Sequence, residues 1–358
     1  MTWRLVVAIV ACTMTIRPAF ADTPQRGDVD GRAPWVVGAA LLNPMTAEVF
    51  KRLRERAAHV PAPRIESGPL VRDVQAFCAG GGADTPDILG LSRRLTGAEY
   101  ALCAKNGVTD LIEVPIGQEA LVLVTRKEDV DVPLTFDTLF RAIVAELPRG
   151  DDFLPNTSHT WRDVKGSLPR SEINVIVPSY ATVSRKYFDG RFMEGACREI
   201  FEYKKIFSAD ERVAQCVALR RDGHVVEMDP PYTGETVVAA LDRSPPGTIA
   251  LLSLRYALEV SDRLKVLSLV GVVPSRQTVG HLTYPATRSL TYYVKRSHVK
   301  DYTGKGPVAG LREFVSEVTR ERAVGEAGYL VPLGLVPLAS DIRAATRDSA
   351  LSLTVMSR

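Results

Sequence analysis

Between Trp35 and Val124 the chain alternates short apolar runs with segments of helical character, and that alternation excludes most folds at once. Trp35-Val36-Val37-Gly38 reads as a first strand, followed by a helix over 44–58 with Pro44 near its start. Arg64-Ile65-Glu66-Ser67 is a second short strand, running into a helix from Gly68-Pro69 to Cys78-Ala79-Gly80. Asp87-Ile88-Leu89-Gly90-Leu91 is a third strand. Thr96-Gly97-Ala98-Glu99 then forms a capping box that opens a helix to Ala104. Leu111-Ile112-Glu113-Val114 and Ala120-Leu121-Val122-Leu123-Val124 read as two further strands split at Gly117. Strands and helices in alternation imply an α/β fold with mixed sheets flanked by helices.

The rest of the chain repeats this plan. The charged break Arg126-Lys127-Glu128-Asp129 marks a crossover, after which Thr135 caps a helix over 136–147. A long loop leads through Trp161 to Pro169, and Ile173-Asn174-Val175-Ile176-Val177 is a strand. Helices are expected to begin near Ser184-Arg185 and to cover 197–207, 209–219 and 235–241, with buried strands over 247–254 and 266–270. Residues 290–294 lead back out, and 308–319 reads as a helix returning to the first half. The expected domains are lobe 1 from 35–125 with 290–358 and lobe 2 from 126–289. In open α/β sheets ligands sit beyond strand carboxyl ends, near helix N-termini. Two such edges facing each other enclose a ligand cleft between the lobes, which closes by a hinge motion.

The N-terminus reads as an export signal over residues 1–21, with Arg4 as its positive start and 5–14 as its apolar run. Ala19-Phe20-Ala21 supplies the cleavage site, leaving Asp22 as the first mature residue and 22–34 as a linker. The run is shorter than the ~20 apolar residues a membrane span takes. Ile9-Val10-Ala11-Cys12 offers an alternative, a lipidated Cys12. The expected compartment is the periplasm. Cys78, Cys103, Cys197 and Cys216 remain after cleavage, and four cysteines allow three pairings. Their spacing favours Cys78–Cys103 and Cys197–Cys216 in an oxidising compartment, over a metal site that lacks any CxxC or CxxH.

Composition is that of an ordinary globular protein, with 46% hydrophobic and 24% charged residues. Lys+Arg total 45 and Asp+Glu 42, and residues 1–21 hold two of the bases and no acid. The mature chain is nearly neutral, so no nucleic-acid partner is expected and any bound anion needs a local site.

Several motifs together resemble the phosphate-binding proteins of ABC uptake systems, which have the two-lobed type II periplasmic binding fold. They are Phe77-Cys78-Ala79-Gly80 through Asp84-Thr85-Pro86-Asp87-Ile88, then Ser92-Arg93-Arg94, and Cys103-Ala104-Lys105-Asn106-Gly107-Val108-Thr109-Asp110. Glu113-Val114-Pro115-Ile116-Gly117, Tyr284-Pro285-Ala286-Thr287-Arg288-Ser289-Leu290 and Gly328-Tyr329-Leu330 continue the series in order. The resemblance implies a divergent, non-catalytic member that captures phosphate or a related oxyanion for an importer. Its partners are then the ABC permease subunits, and the protein is expected to act as a monomer with no cofactor.

The resemblance also implies a ligand set. Ser67 and Gly68 open the second helix, where a hydroxyl and free amides suit an anion. Ser92, Arg93 and Arg94 end a buried strand and bring guanidinium donors. Thr182, Ser184 and Arg185 align with the family's Ser-Gly-Thr-Arg turn, although Val183 replaces its glycine. Two positions depart further. Ala39-Ala40-Leu41 replaces the hydroxyl-rich first loop, and Gln118-Glu119 replaces an Asp-Gly, placing a carboxylate that would repel phosphate. These departures keep a second class open, a solute-binding-like domain that has lost its ligand and acts as a sensor or interaction protein. For an enzyme the chain offers no GxSxG, HExxH or Walker loop, and His59, His159, His224, His281 and His298 are scattered.

Overall fold

The computed structural model describes residues 32–150, 152–299 and 308–357. The export signal, its cleavage after Ala21 and the alternative at Cys12 lie outside the described residues.

Strand β1 (Trp35–Gly38) pairs in parallel with β2 (Arg64–Glu66) on one side and β3 (Ile88–Leu91) on the other. Helices α1 (Asn43–Arg56), α2 (Leu70–Phe77) and α3 (Gly97–Lys105) fall between these strands as the alternation predicts. The capping box opening α3 is present: Thr96 Oγ1 accepts from the Glu99 amide at 3.2 Å, and Glu99 accepts from the Thr96 amide at 2.9 Å.

The two strands expected on either side of Gly117 are one strand, β4 (Leu111–Arg126). Gly117 is a point of close approach. A Cβ there would lie 2.4 Å from Leu335 Cδ1, and the same segment exchanges two 2.8 Å backbone bonds between Gln118 and Val336. The irregularity sits one residue earlier, as a bulge opposite Leu290/Thr291 next to Pro115, which has no N–H for the ladder.

The expected helix over 136–147 stops at Ile143. The Asn156 side chain donates to the Arg141 and Val144 carbonyls at 2.7 and 3.0 Å, closing the helix end, and Pro148 then sits in a hairpin of β5 (Glu146–Arg149) and β6 (Asp152–Pro155). Further on come β7 (Val175–Pro178), β8 (Val225–Met228), β9 (Ile249–Ser253), β10 (Leu264–Val266) and β11 (Thr287–Lys295). The helix expected over 197–207 is reduced to Phe201–Lys204, while Arg185–Phe188 runs into a wide π turn over Asp189–Glu194.

β4 joins the two halves of one mixed sheet, ordered β2-β1-β3-β11-β4-β9-β7-β8 with β10 also on β4. Its first ten residues pair with β11 and its last six with β9 and β10. The buried side chains divide at the same place. One apolar cluster is drawn almost wholly from 120–286, whereas Ile116 and Leu290 belong to another that runs from Val36 to Ala350. Both expected disulfides form, Cys78–Cys103 with Cα atoms 4.3 Å apart and Cys197–Cys216 at 5.6 Å. No helix among the described residues is long and apolar enough to cross a membrane.

Candidate ligand site at the junction of the two cores

Six of the eight residues expected to hold an anion, Ser67, Gly68, Arg93, Arg94, Thr182 and Arg185, are already engaged by the protein itself. Ser67 donates to Asn43 Oδ1 at 3.1 Å, and the Gly68 amide at the start of α2 donates to Asp73 Oδ2 at 3.0 Å. The negative charge favoured at that helix start is thus supplied from within the helix. In the first loop the Ala39 amide donates to Gly90 O at 2.8 Å, and Ala40–Leu42 turns directly into α1.

The arginines after β3 are each matched to one carboxylate. Arg93 makes a fork to Glu99 at 2.8 and 2.6 Å, and Arg94 a second fork to Glu113 at 2.9 and 2.6 Å. Glu113 also accepts from Tyr293 OH at 2.8 Å. The Arg93 bonds hold the Glu99 carboxyl down at about 2, against the opposing effect of burial. Ser92 is half-buried beside them.

Arg185 is almost fully buried. It donates to Asp189 at 2.7 Å, to Pro178 O at 3.2 Å and to the Glu227 carboxylate, and lies over the Tyr180 ring at 3.9 Å. Thr182 Oγ1 donates to Ser179 O at 2.9 Å, and Ser184 caps the short helix without a side-chain bond. Val183 is exposed and is not among the residues with positive φ, so this turn does not require the family's glycine. The bonds of the 67–94 group and of the 182–185 group stay within their own halves of the chain.

A different constellation occupies the junction. Glu119 and Arg288 face each other across the β4–β11 ladder, with Arg288 Nε donating to Glu119 Oε2 at 2.5 Å. Their side chains are only 4% and 5% exposed. The carboxylate expected to repel an anion is therefore neutralised by Arg288, a partner 169 residues away in sequence. Arg288 lies 4.6 Å over the Tyr187 ring, and Arg191 anchors the same region by two bonds to Pro285 O at 2.9 and 2.7 Å.

Three buried polar atoms here have no partner: Glu119 Oε1, Arg288 Nη2 and Tyr187 OH, whereas the unpartnered Gln118 Oε1 belongs to the next residue of β4 and faces the other side of the sheet. A group left in that state costs about 1–3 kcal/mol, so such a concentration calls for a polar occupant. Burial raises the Tyr187 hydroxyl far above its ordinary pKa, with Arg288 opposing, so it is a neutral donor. Two donors and one acceptor lie together where one core gives way to the other, an arrangement fitted to bind a small polar solute. Tyr187 escaped the sequence reading because nothing local distinguishes it, whereas the motif Thr287-Arg288-Ser289 had already drawn attention to its strand.

Residues 67–322 match the family model described as the PBP superfamily domain. Among solved structures, a possible phosphate binding protein from Planctomyces limnophilus superposes with a TM-score of 0.65 at 16% identity, covering 90% of this chain and 98% of that one. PstS from Borrelia burgdorferi gives 0.59 at 17% identity over 86% and 99% of the two chains, and an ABC-type phosphate transport receptor from Vibrio cholerae 0.55 at 11% over 85% and 99%. No curated protein sequence matches. With the family model spanning well over half its length, and the same mixed sheet and flanking helices, the chain belongs to the PBP superfamily.

Proposed function

We propose that this protein is an extracytoplasmic solute-binding protein that captures phosphate or a related oxyanion at the junction and delivers it to an ABC permease. One observation carries the reading: the unpartnered Arg288 Nη2 and Tyr187 OH, two donors buried together at the boundary between the cores. An oxyanion accepts both, and Glu119 Oε1 accepts from any proton it carries. The likeness to phosphate-binding proteins of importers supports the same class of ligand and partner. In this reading lobe 1 comprises 35–125 with 290–358 and lobe 2 comprises 126–289, and the exported chain begins at Asp22 and acts as a monomer. Ser67, Gly68, Arg93, Arg94, Thr182 and Arg185 contribute only where the ligand exchanges with their present partners, and Ser92 and Ser184 contribute through their hydroxyls.

A second reading has an observation of its own. Arg93, Arg94 and Arg185 are all paired with carboxylates, as expected of a domain that kept the fold and serves as a sensor or interaction protein. Calorimetric titration with phosphate, sulfate and a phosphate ester separates the two. Phosphate should bind, and Tyr187→Phe should weaken it on the order of ten-fold through loss of one bond to a charged ligand. If the wild type binds none of the three, transport falls and the interaction reading stands.

A further inference from the structure

A second polar concentration lies away from the junction, on the core formed by α1, the helix Leu311–Val318 and the C-terminal helix Ser340–Leu351. These three elements enclose a cavity of about 410 Å³, and none of the junction residues lines it. Its apolar part includes Leu53, Ala57, Val315 and Leu351, the last 38% exposed.

The same cavity is also lined by basic side chains. Arg56 donates to Glu317 at 3.2 Å, Arg322 forks onto the same carboxylate, and Arg320 lies 3.7 Å from it. Three guanidiniums thus share one buried acid, while each keeps more than two-fifths of its side chain exposed. Glu313 also lines the cavity and is met by His59 Nε2 at 3.2 Å, so Arg56, Arg320 and Arg322 against Glu313 and Glu317 leave a formal excess of one positive charge. Burial alone would raise the Glu317 carboxyl; the bonds from Arg322 and Arg56 prevail and hold it below its usual range, so the acid stays ionised and the excess is not larger.

A lining that joins an excess of guanidinium charge to exposed apolar surface selects a ligand carrying both features. A volume of this size lies within the range of small-molecule sites. We infer that this cavity is a second binding site, which takes a small free amphiphile with an anionic head against the arginines and an alkyl or aryl tail on Leu53, Val315 and Leu351. Charge complementarity chooses the head and the apolar lining chooses the tail.

The test is calorimetric titration of the mature protein with decyl phosphate below its micelle concentration, beside decanol and inorganic phosphate. Decyl phosphate should saturate one site with a Kd on the order of 0.1 mM for a ligand of this size. Decanol should bind at least ten-fold more weakly. Arg320→Gln should weaken decyl phosphate about ten-fold, as the loss of a charge-assisted bond does. Leu351→Glu, at a partly exposed position whose variant can be verified as folded by circular dichroism, should abolish it. Inorganic phosphate binding should be unchanged in both variants, and decyl phosphate binding unchanged in Tyr187→Phe, so this site and the junction site stand or fall separately. Absence of saturable binding, equal binding of decanol, or decyl phosphate affinity that survives Leu351→Glu would each overturn the inference. So would sedimentation with phosphatidylglycerol vesicles that Leu351→Glu removes, because the cationic face would then belong to a bilayer.

Discussion

Replacing Arg288 by methionine keeps much of its length and apolar stem but strips the Glu119 carboxylate of the charge partner it has among the described residues. Glu119 is 3% exposed, so water cannot take over the role of the guanidinium. Breaking a buried pair from one side costs about 3–5 kcal/mol, because the remaining charge is left unsolvated. The lower end applies here, since Glu119 Oε1 already lacks a partner and the pair is less than ideally satisfied to begin with. Glu119→Gln should cost less, about 2 kcal/mol, because the stranded guanidinium still faces the Tyr187 ring at 4.6 Å. Joining both changes should restore most of the loss, giving a coupling energy on the order of 2 kcal/mol in a double-mutant cycle. Urea unfolding followed by circular dichroism and tryptophan fluorescence measures all four proteins. Singles within about 0.5 kcal/mol of the wild type, or additive losses in the double, would refute a closed ion pair at the junction.

Two smaller predictions follow from other parts of the fold. Gly38→Ala should destabilise by on the order of 3 kcal/mol, as its φ is 122° and a Cβ would lie 2.1 Å from Gly90 O; Gly90→Ala meets side chains alone, the Leu42 methyl at 3.0 Å and the Tyr292 ring at 3.3 Å, and should cost less in the same urea assay. The Glu99 carboxyl lies at about 2 instead of 4.5, so its pairing with Arg93 stabilises fully above pH 4.5 and is lost as the pH falls toward 2. Glu99→Gln should therefore flatten the acid limb of the stability–pH curve, and an unchanged limb would refute that assignment.

Much of the local structure was legible in the residues alone. The first strand, α1 and the Thr96–Glu99 capping box depend on neighbours three or four positions apart, and they form where their signals lie. The disulfide pairs were legible for the same reason, each closing a loop of 25 or 19 residues. Gly117 misled because a glycine needed for close approach carries the same letter as one that ends a strand. Leu335, the residue that requires it, lies more than two hundred positions downstream. The C-terminal helix Ser340–Leu351 gave a weak signal, with its main buried positions limited to Arg343 and Ala350.

The site shows where sequence and tertiary structure divide. Sequence determined which side chains could bind an anion: hydroxyls and arginines at strand ends and helix starts. It could not determine what those groups had left to offer. An arginine's worth to a ligand depends on its nearest carboxylate, and Glu99, Glu113 and Glu227 reach Arg93, Arg94 and Arg185 only through the fold. Glu119 looked like a repulsive charge until β11 crossed beside β4 and set Arg288 opposite it. Residue type and local spacing are written along the chain, whereas charge balance and burial arise only when distant strands are brought within a few ångströms, where Coulomb and desolvation energies become large.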